Sequence, residues 1–448
     1  MFGNLKIRLK SIKIKNFKNI SNSVVEFESE KPKCVTGIYG SNGSGKSAVI
    51  DLIDLLKHII MGDSIKFPYY WIAYGESNTS LTYTFEYKKY SLSYSCNFAI
   101  RNNSVFLAKE SLEISQSKDE AFLIKVDRLA KSVKNAIKVR YQNEEYNFKL
   151  FDFEKLVALY SVTRTSQKSF IWSSWYDTLD DDKIEKPNFK TLINNFIYYA
   201  SARMTVIKVK ESSLISAKDE LILHMDYTKT DMVRGKSQLV GILKINLLNS
   251  NLIPVDAIED LKTTINQCNK ILSILIPDFF IGLQINENVI PTEDGKLNQS
   301  VNFYSNRYNV HIPLVFESEG IKKIISMTTA LIACYNKQST LLAVDELDSG
   351  IFEYLLGQIV DIFDKSGKGQ LIFTSHNLRI LEVVNPASIV LSTLNPDKRF
   401  IKFRNVKPTN NFRNMYIRSL LLGGQSETLY EPADDVDLRI ALKSADDK

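Results

Sequence analysis

Gly40-Ser41-Asn42-Gly43-Ser44-Gly45-Lys46-Ser47 fills the pattern G-x-x-x-x-G-K-[ST], and its flanks decide the fold. Upstream, Cys34 to Tyr39 has the apolar character of a strand running straight into the glycines. Downstream, Ala48 to Ile60 places Leu52, Leu55, Leu56 and Ile59 at helical spacing. A glycine-rich turn between a strand and a helix lets successive backbone N–H groups point inward around phosphate oxygens, and the helix start adds its positive dipole. Lys46 would reach the β and γ phosphates and the Ser47 hydroxyl would ligate Mg²⁺, so ATP and Mg²⁺ are the expected ligands.

The matching half of such a site lies far downstream. Leu341-Leu342-Ala343-Val344-Asp345-Glu346 is four apolar residues closed by two carboxylates. That is a buried parallel strand with acids at its C-terminal end, where ligands bind in open α/β sheets. Asp345 can hold Mg²⁺ through a water, and Glu346 can orient and deprotonate an attacking water. Lys46 and Asp345 stand 299 residues apart, much farther than in compact P-loop kinases and GTPases.

The stretches between follow their own periods. Ile12 and Ile14 alternate with Lys13 and Lys15, a second short strand follows at Val24 to Phe27, and Tyr/Phe-rich alternation from Leu81 to Val126 predicts an antiparallel meander. Asp256 to Ile276 puts Ile258, Leu261, Ile265, Cys268, Leu272 and Leu275 on one helical face, without the sustained heptads of a coiled-coil arm. Strand-like segments return near Phe279 to Ile285 and Val301 to Leu314, and the last third has the strand–helix–strand rhythm of a parallel sheet. The expected division is an N-terminal half of the nucleotide-binding head with the meander (1–154), a mostly helical insertion serving as dimerisation element or partner platform (155–280), a C-terminal half of the head (281–408) and a tail (409–448).

A nucleotide site split in this way resembles the SMC/RecF/RecN/MutS-like branch of ABC-type ATPases, and the fold this implies is an α/β, ABC-type P-loop head built from both ends of the chain. Ser318-Glu319-Gly320, 27 residues before Asp345, resembles the S-x-G signature of that branch. Leu347-Asp348-Ser349-Gly350 resembles its D-loop, and Thr374-Ser375-His376-Asn377 its H-loop with the switch histidine. Within the branch the chain is similar to the AAA-type ATPases of bacterial abortive-infection and anti-phage operons, relatives of the OLD family. The opening KIKNFKNI, the segment FESEGIKKI and the tail Asn411-Phe412-Arg413-Asn414-Met415-Tyr416 followed by Gly423-Gly424 carry that similarity. Two features depart from it. No Gln stands between Lys57 and Leu112 to serve as a Q-loop, and the 72 residues after His376 are too few for the Toprim nuclease of OLD enzymes.

The resemblance implies that two nucleotide domains sandwich ATP. Ser318, Glu319 and Gly320 would face the γ-phosphate held by the partner's P-loop, and Asp348 would reach across beside it. Glu346 and His376 are then the catalytic pair, and the chain a homodimer or higher oligomer. The implied role is the sensor or regulatory ATPase of an anti-phage system acting on a separate effector, a nuclease or toxin. The alternative is a RecF- or RecN-like DNA-maintenance ATPase binding DNA directly. A third reading, a scaffold that holds ATP without turnover, is disfavoured by the intact Lys46, Asp345 and Glu346.

Composition bounds the rest. Among 448 residues, 44% are hydrophobic and 11% aromatic, which excludes disorder as the dominant state. No apolar run reaches membrane-spanning length; Ile324 to Tyr335 is broken by Ser326, Thr328 and Thr329 and suits a buried helix. The first twenty residues interleave Lys with Ile and hold no signal-peptide core, so a soluble, cytoplasmic protein is expected. Cys34, Cys96, Cys268 and Cys334 lack metal-ligand spacing and suit small buried positions. His58, His224 and His311 join no constellation. Lys6, Arg8, Lys10, Lys13, Lys15 and Lys18 read as the solvated face of an edge strand that blocks further pairing, with DNA contact as the rival reading. The aromatics from Leu81 to Phe98 are taken as one buried face rather than a base-stacking surface. The acidic tail, with Glu431, Asp434, Asp435, Asp437, Asp446 and Asp447, is taken as solvated.

Overall fold

β1 (Ile7–Phe17) and β2 (Ile20–Glu26) form an antiparallel pair, and β3 (Val35–Tyr39) follows, leading into the glycine-rich loop and the helix Lys46–Met61. The computed structural model describes residues 6–27, 33–115, 121–141, 144–146, 151–178, 189–208, 220–231, 235–291, 297–308, 310–404 and 411–445. Asp446 and Asp447 of the acidic tail and the side chain of His224 lie outside it.

Six further strands, β4 (Asn78–Tyr87), β5 (Tyr90–Arg101), β6 (Ser104–Ser115), β7 (Ala121–Asp127), β8 (Ile137–Tyr141) and β9 (Glu144–Tyr146), extend the first pair. The result is one antiparallel sheet in the order β2-β1-β4-β5-β6-β7-β8-β9. Strand alternation sends Leu81, Tyr83, Phe85, Leu92, Tyr94, Cys96 and Phe98 to one face, where all are buried. That face packs on the phosphate-loop helix; Tyr83 Oη donates to the Leu52 carbonyl at 3.0 Å. The edge-strand expectation for the basic opening is corrected. β4 occupies the free side of β1 through Ile12↔Tyr83 and Ile14↔Leu81, so Lys13 and Lys15 stand on the solvent face of an interior strand.

The middle of the chain is mixed. It holds the helices Phe153–Thr165, Phe189–Ala202 and Ile258–Leu275, together with β10 (Met204–Ile207), the long hairpin of β11 (Glu220–Asp231) and β12 (Gly235–Asn246), and β13 (Asn251–Pro254). The mostly helical expectation for 155–280 is corrected to that extent. β10 also pairs in parallel with a strand of the C-terminal third, so this stretch is not wholly an insertion. Beyond it, β14 (Phe279–Pro291), β15 (Leu297–Arg307) and β16 (Val310–Pro313) make a small antiparallel sheet with β13.

The central sheet gathers β17 (Leu341–Val344), β18 (Gln370–Thr374), β19 (Ile389–Ser392) and β20 (Phe400–Lys402) around β3, in the order β10-β17-β18-β3-β19-β20. Every neighbour pair is parallel except β19–β20. Both faces are covered. Leu341 and Ala343 belong to the core shared with the meander and the phosphate-loop helix, whereas Leu342 and Val344 belong to the core under the helices Ile258–Leu275, Glu319–Asn336 and Glu353–Ser366. A strand buried on both faces has to be apolar throughout, which is why β17 reads as an unbroken run. The meander is locked to this sheet by the Gln370 amide, which accepts from Leu9 N–H and donates to the Leu9 carbonyl, both at 2.8 Å.

All four cysteines are free thiols and buried. His58 Nδ1 pairs with Asp63 at 2.8 Å, and His311 stacks on Tyr304 with ring centroids 4.7 Å apart. No helix among the described residues is long and apolar enough to cross a membrane.

One charge pair lies inside the meander. Glu110 accepts from Phe170 N–H at 2.8 Å, Ser169 Oγ at 2.5 Å, Tyr94 Oη at 3.1 Å and Arg128 Nη2 at 3.3 Å, with both charged side chains almost fully buried. Removing one partner of such a pair leaves an uncompensated charge. Arg128→Ala is therefore expected to lower stability by about 3–5 kcal/mol. The urea midpoint measures this; a change within the roughly 0.5 kcal/mol of an ordinary surface substitution would show that the pair does not hold this region.

Candidate functional site

The phosphate loop sits at the C-terminal end of β3, with β18 and β19 on either side. Gly45 has φ 90° as the N-cap of the helix Lys46–Met61, a left-handed conformation that strains a residue with a side chain. The loop is held from outside by Ser44 Oγ against Ser392 Oγ at 2.5 Å and by Asn19, whose amide donates to the Gly43 carbonyl. Arg399 in turn donates to the Asn19 carbonyl at 2.5 Å.

Lys46 is buried, and its Nζ donates to the carbonyls of Gly40 at 3.0 Å and Ser41 at 2.9 Å. Burial pulls its pKa below the ordinary lysine value, opposed by the charges of Asp345, Glu346 and Asp348. Those carboxylates follow β17, one strand removed from β3. Ser47 Oγ donates to Asp345 Oδ1 at 3.0 Å, a hydrogen bond between residues 298 apart in the chain. Two hard oxygens side by side, next to a buried cation and a cradle of backbone amides, fit a divalent cation bound with a polyphosphate. Ser47 and Asp345 would hold Mg²⁺, which when bound neutralises phosphate charge.

Thr374, the last residue of β18, joins the two acids. Its Oγ1 donates to Asp345 Oδ1 at 2.6 Å and accepts from Glu346 N–H at 2.7 Å. Glu346 itself has φ 48°, in the left-handed region that is unfavourable for a non-glycine residue. The turn after it is clamped from the helix Glu319–Asn336. Lys323 Nζ donates to the carbonyls of Glu346 and Ser349, both at 2.8 Å, and burial lowers its pKa against the same three carboxylates. Sequence reading placed Thr374 in the H-loop and Lys323 in the segment FESEGIKKI, but gave neither a role at the site. Thr374 had a signal, a hydroxyl at the end of an otherwise apolar strand; Lys323 had none, because its partners are carbonyls.

His376 joins the site through its backbone, its N–H donating to Asp348 Oδ2 at 3.1 Å. Burial and the nearby Lys46 charge hold its imidazole below the ordinary value, against the pull of Asp348, Glu346 and Asp345, so the neutral ring is favoured at pH 7. Asp348 is thus bound within its own chain, although its Oδ1 is buried without a partner among the described residues.

Ser318 and Glu319 stand apart from this arrangement. Ser318 caps the helix Glu319–Asn336, accepting from Ile321 N–H at 3.4 Å, and Ser318 and Glu319 are exposed. Gly320 lies against the turn after β17 so closely that a Cβ there would stand 2.2 Å from the Gly350 carbonyl oxygen. The structure therefore brings together Gly40 to Ser47, Asp345, Glu346, Asp348 and His376, and leaves Ser318 and Glu319 exposed while Gly320 packs against the turn after β17.

Strand, glycine-rich loop and helix in this order, with paired acids at the end of a strand one place removed, define a P-loop nucleotide-binding protein. Residues 8–381 match the AAA ATPase domain family, and the chain belongs to that family. No curated protein matches it. Among solved structures, the SMC head bound to the C-winged helix domain of ScpA is 12% identical with a TM-score of 0.39, covering 88% of this chain and 98% of that one. The SMC head domain from Thermotoga maritima is 14% identical at 0.37, covering 89% and 99%. The ATP complex of the recombination mediator protein RecF is 11% identical at 0.34, covering 89% and 100%. Likenesses of this size are loose, and the architecture above stands on this chain's own topology.

Thr374→Val removes the hydroxyl that links both acids while keeping its shape. Supporting residues of this kind cost roughly 10–100-fold when lost. ATP turnover is expected to fall by that amount with nucleotide affinity little changed; equal losses in both would show that Thr374 holds the whole loop instead.

Proposed function

We infer that the protein is an ATPase that closes as a dimer around ATP and serves as the sensor or regulatory subunit of an anti-phage defence system, controlling a separate effector such as a nuclease or toxin. One observation carries the dimer: Ser318 and Glu319, which open a helix whose first backbone N–H groups suit an anion, are exposed rather than packed in the nucleotide site of their own chain. A second copy, its S-x-G segment over the first copy's loop, would complete both sites by two-fold symmetry. Glu346, whose carboxylate has no hydrogen-bond partner among the described residues, would take the proton of the attacking water. Asp345 and Ser47 would hold Mg²⁺, and neutral His376 would contact the γ-phosphate side of the nucleotide. The defence role is supported by the KIKNFKNI opening, the FESEGIKKI segment and the Asn411–Tyr416 tail.

A second reading, direct action on DNA, is favoured by the solvent face of the meander. Lys13, Thr82, Ser95, Ser111, Lys125 and Lys138 are paired in register across six strands, a row of lysines and hydroxyls without an acid. Lysines and hydroxyls are the side chains that contact phosphate backbones.

Two experiments test this. Lys46→Ala and Ser318→Arg are each expected to be inactive alone, and a mixture should recover about a quarter of wild-type turnover, because half the dimers carry one intact composite site. No recovery would remove the shared site. Glu346→Gln should keep ATP binding, lose hydrolysis by roughly 10²–10⁴-fold and accumulate as a dimer. Purified from its host with ATP, it should bring a stoichiometric nuclease or toxin; recovery of only self-associated protein and DNA would favour the second reading.

A further inference from the structure

Away from the phosphate loop, the N-terminal half holds a cavity of about 700 Å³ that the site above does not use. Three places form most of its walls, and Arg128 and Leu129 complete them. One is Ile65 to Tyr69, just beyond the helix Lys46–Met61. Another is the tight turn between β5 and β6, where Asn102 and Asn103 have φ 51° and 55° and the flanking Arg101 and Ser104 pair across the hairpin. The third is Arg164 and Gln167, at the C-terminal end of the helix Phe153–Thr165.

The charge is one-sided. Lys66, Arg101 and Arg164 line the cavity, no acidic side chain does so among the described residues, and none of the three cations makes an ion pair there. Arg128 also lines it but its charge is met by Glu110, as described above. Two of the lining residues also carry a buried polar atom without a hydrogen-bond partner among the described residues: Arg128 Nε, a donor, and Gln167 Oε1, an acceptor. Arg128 is 3% exposed, so its unused N–H is a cost that a bound polar group or water relieves. Tyr69, 49% exposed, and half-buried Phe106 present rings at the same cavity.

Three uncompensated cations select several negative charges, the rings suit a flat heterocycle, and the open donor and acceptor suit its polar edge. The volume falls within the range of roughly 300–1,000 Å³ usual for small-molecule sites. We propose that this cavity is a second, non-hydrolytic site for a nucleoside phosphate carrying at least two negative charges, either free or at the end of a nucleic-acid strand. Resting on the sensor reading above, it is the trigger site. Its connection to the ATPase is short. Ile65 N–H donates to the Gln167 carbonyl at 2.9 Å, and Ile65 lies three residues beyond Gly62, which ends the helix carrying Lys46.

The full-length Lys46→Ala chain, whose phosphate loop is disabled, separates this site from the ATPase. It is titrated calorimetrically with the 5′-phosphorylated dinucleotide pApA and with a 5′-phosphorylated single strand of about ten nucleotides. At least one probe is expected to bind, and adding Arg101→Glu with Arg164→Glu should weaken it by at least about tenfold. Both arginines are exposed, and an unchanged unfolding midpoint checks that the variant is folded. Binding of pApA identifies a free nucleotide as sufficient; binding of the strand alone identifies a strand end. Absence of binding by both probes, or binding indifferent to the double charge reversal, overturns the site. With Lys46 intact, the bound probe should change ATP turnover by about fivefold or more. Binding without any such change overturns the trigger assignment. Because the binding arm requires no hydrolysis, its failure is distinct from a failure of the ATPase reading.

Discussion

The parallel pairing of Val35–Tyr39 between Leu371–Thr374 and Ile389–Leu391 is the constraint from which the rest follows. A strand from the first tenth of the chain is walled in by strands from its last fifth, so neither end can form the sheet alone. Bringing residues more than 300 apart together costs loop-closure entropy, but that cost grows only slowly with length. Two apolar cores, one on each face, offset it. The same pairing sets the phosphate loop beside the acids of β17, and it forces all the intervening chain to leave the sheet and return.

What could be read from the sequence was whatever is local. The phosphate loop, its helix, the apolar run before Asp345 and the aromatic alternation of the meander each declare themselves within a few residues, because local backbone geometry or one buried face dictates them. Features made by distant partners did not. Met204–Ile207 is four residues long, and only Leu341–Val344 makes it a sheet strand. Lys13 and Lys15 alternate as an edge strand would, and only the return of Ser80–Glu86 beside them shows that β1 is interior. The hairpin Glu220–Asn246 was lost in the expectation of a helical middle. Thr374 and Lys323 act through backbone and carboxylate groups whose positions the chain's local pattern does not encode.

The site is also held by more than its motif residues. Glu346 occupies a left-handed conformation, and three restraints surround it: Thr374 on its N–H, Lys323 on its carbonyl, and the Thr374 carbonyl on Leu347 N–H at 3.0 Å. Strain of this kind persists only where neighbours over-determine the backbone. Because Lys323 belongs to the helix that Ser318 caps, a shift of that helix acts directly on the backbone of the proposed base.

β10 has a mechanical consequence. It is the last described strand before the long hairpin, and its ladder with β17 ends in a hydrogen bond from Asp345 N–H to the Ile207 carbonyl at 2.8 Å. A load pulling the hairpin along the axis of β10 would meet that ladder in shear, straining its bonds together rather than unzipping them one at a time. Tension carried along β10 therefore reaches the acid that faces Ser47 through a single backbone hydrogen bond.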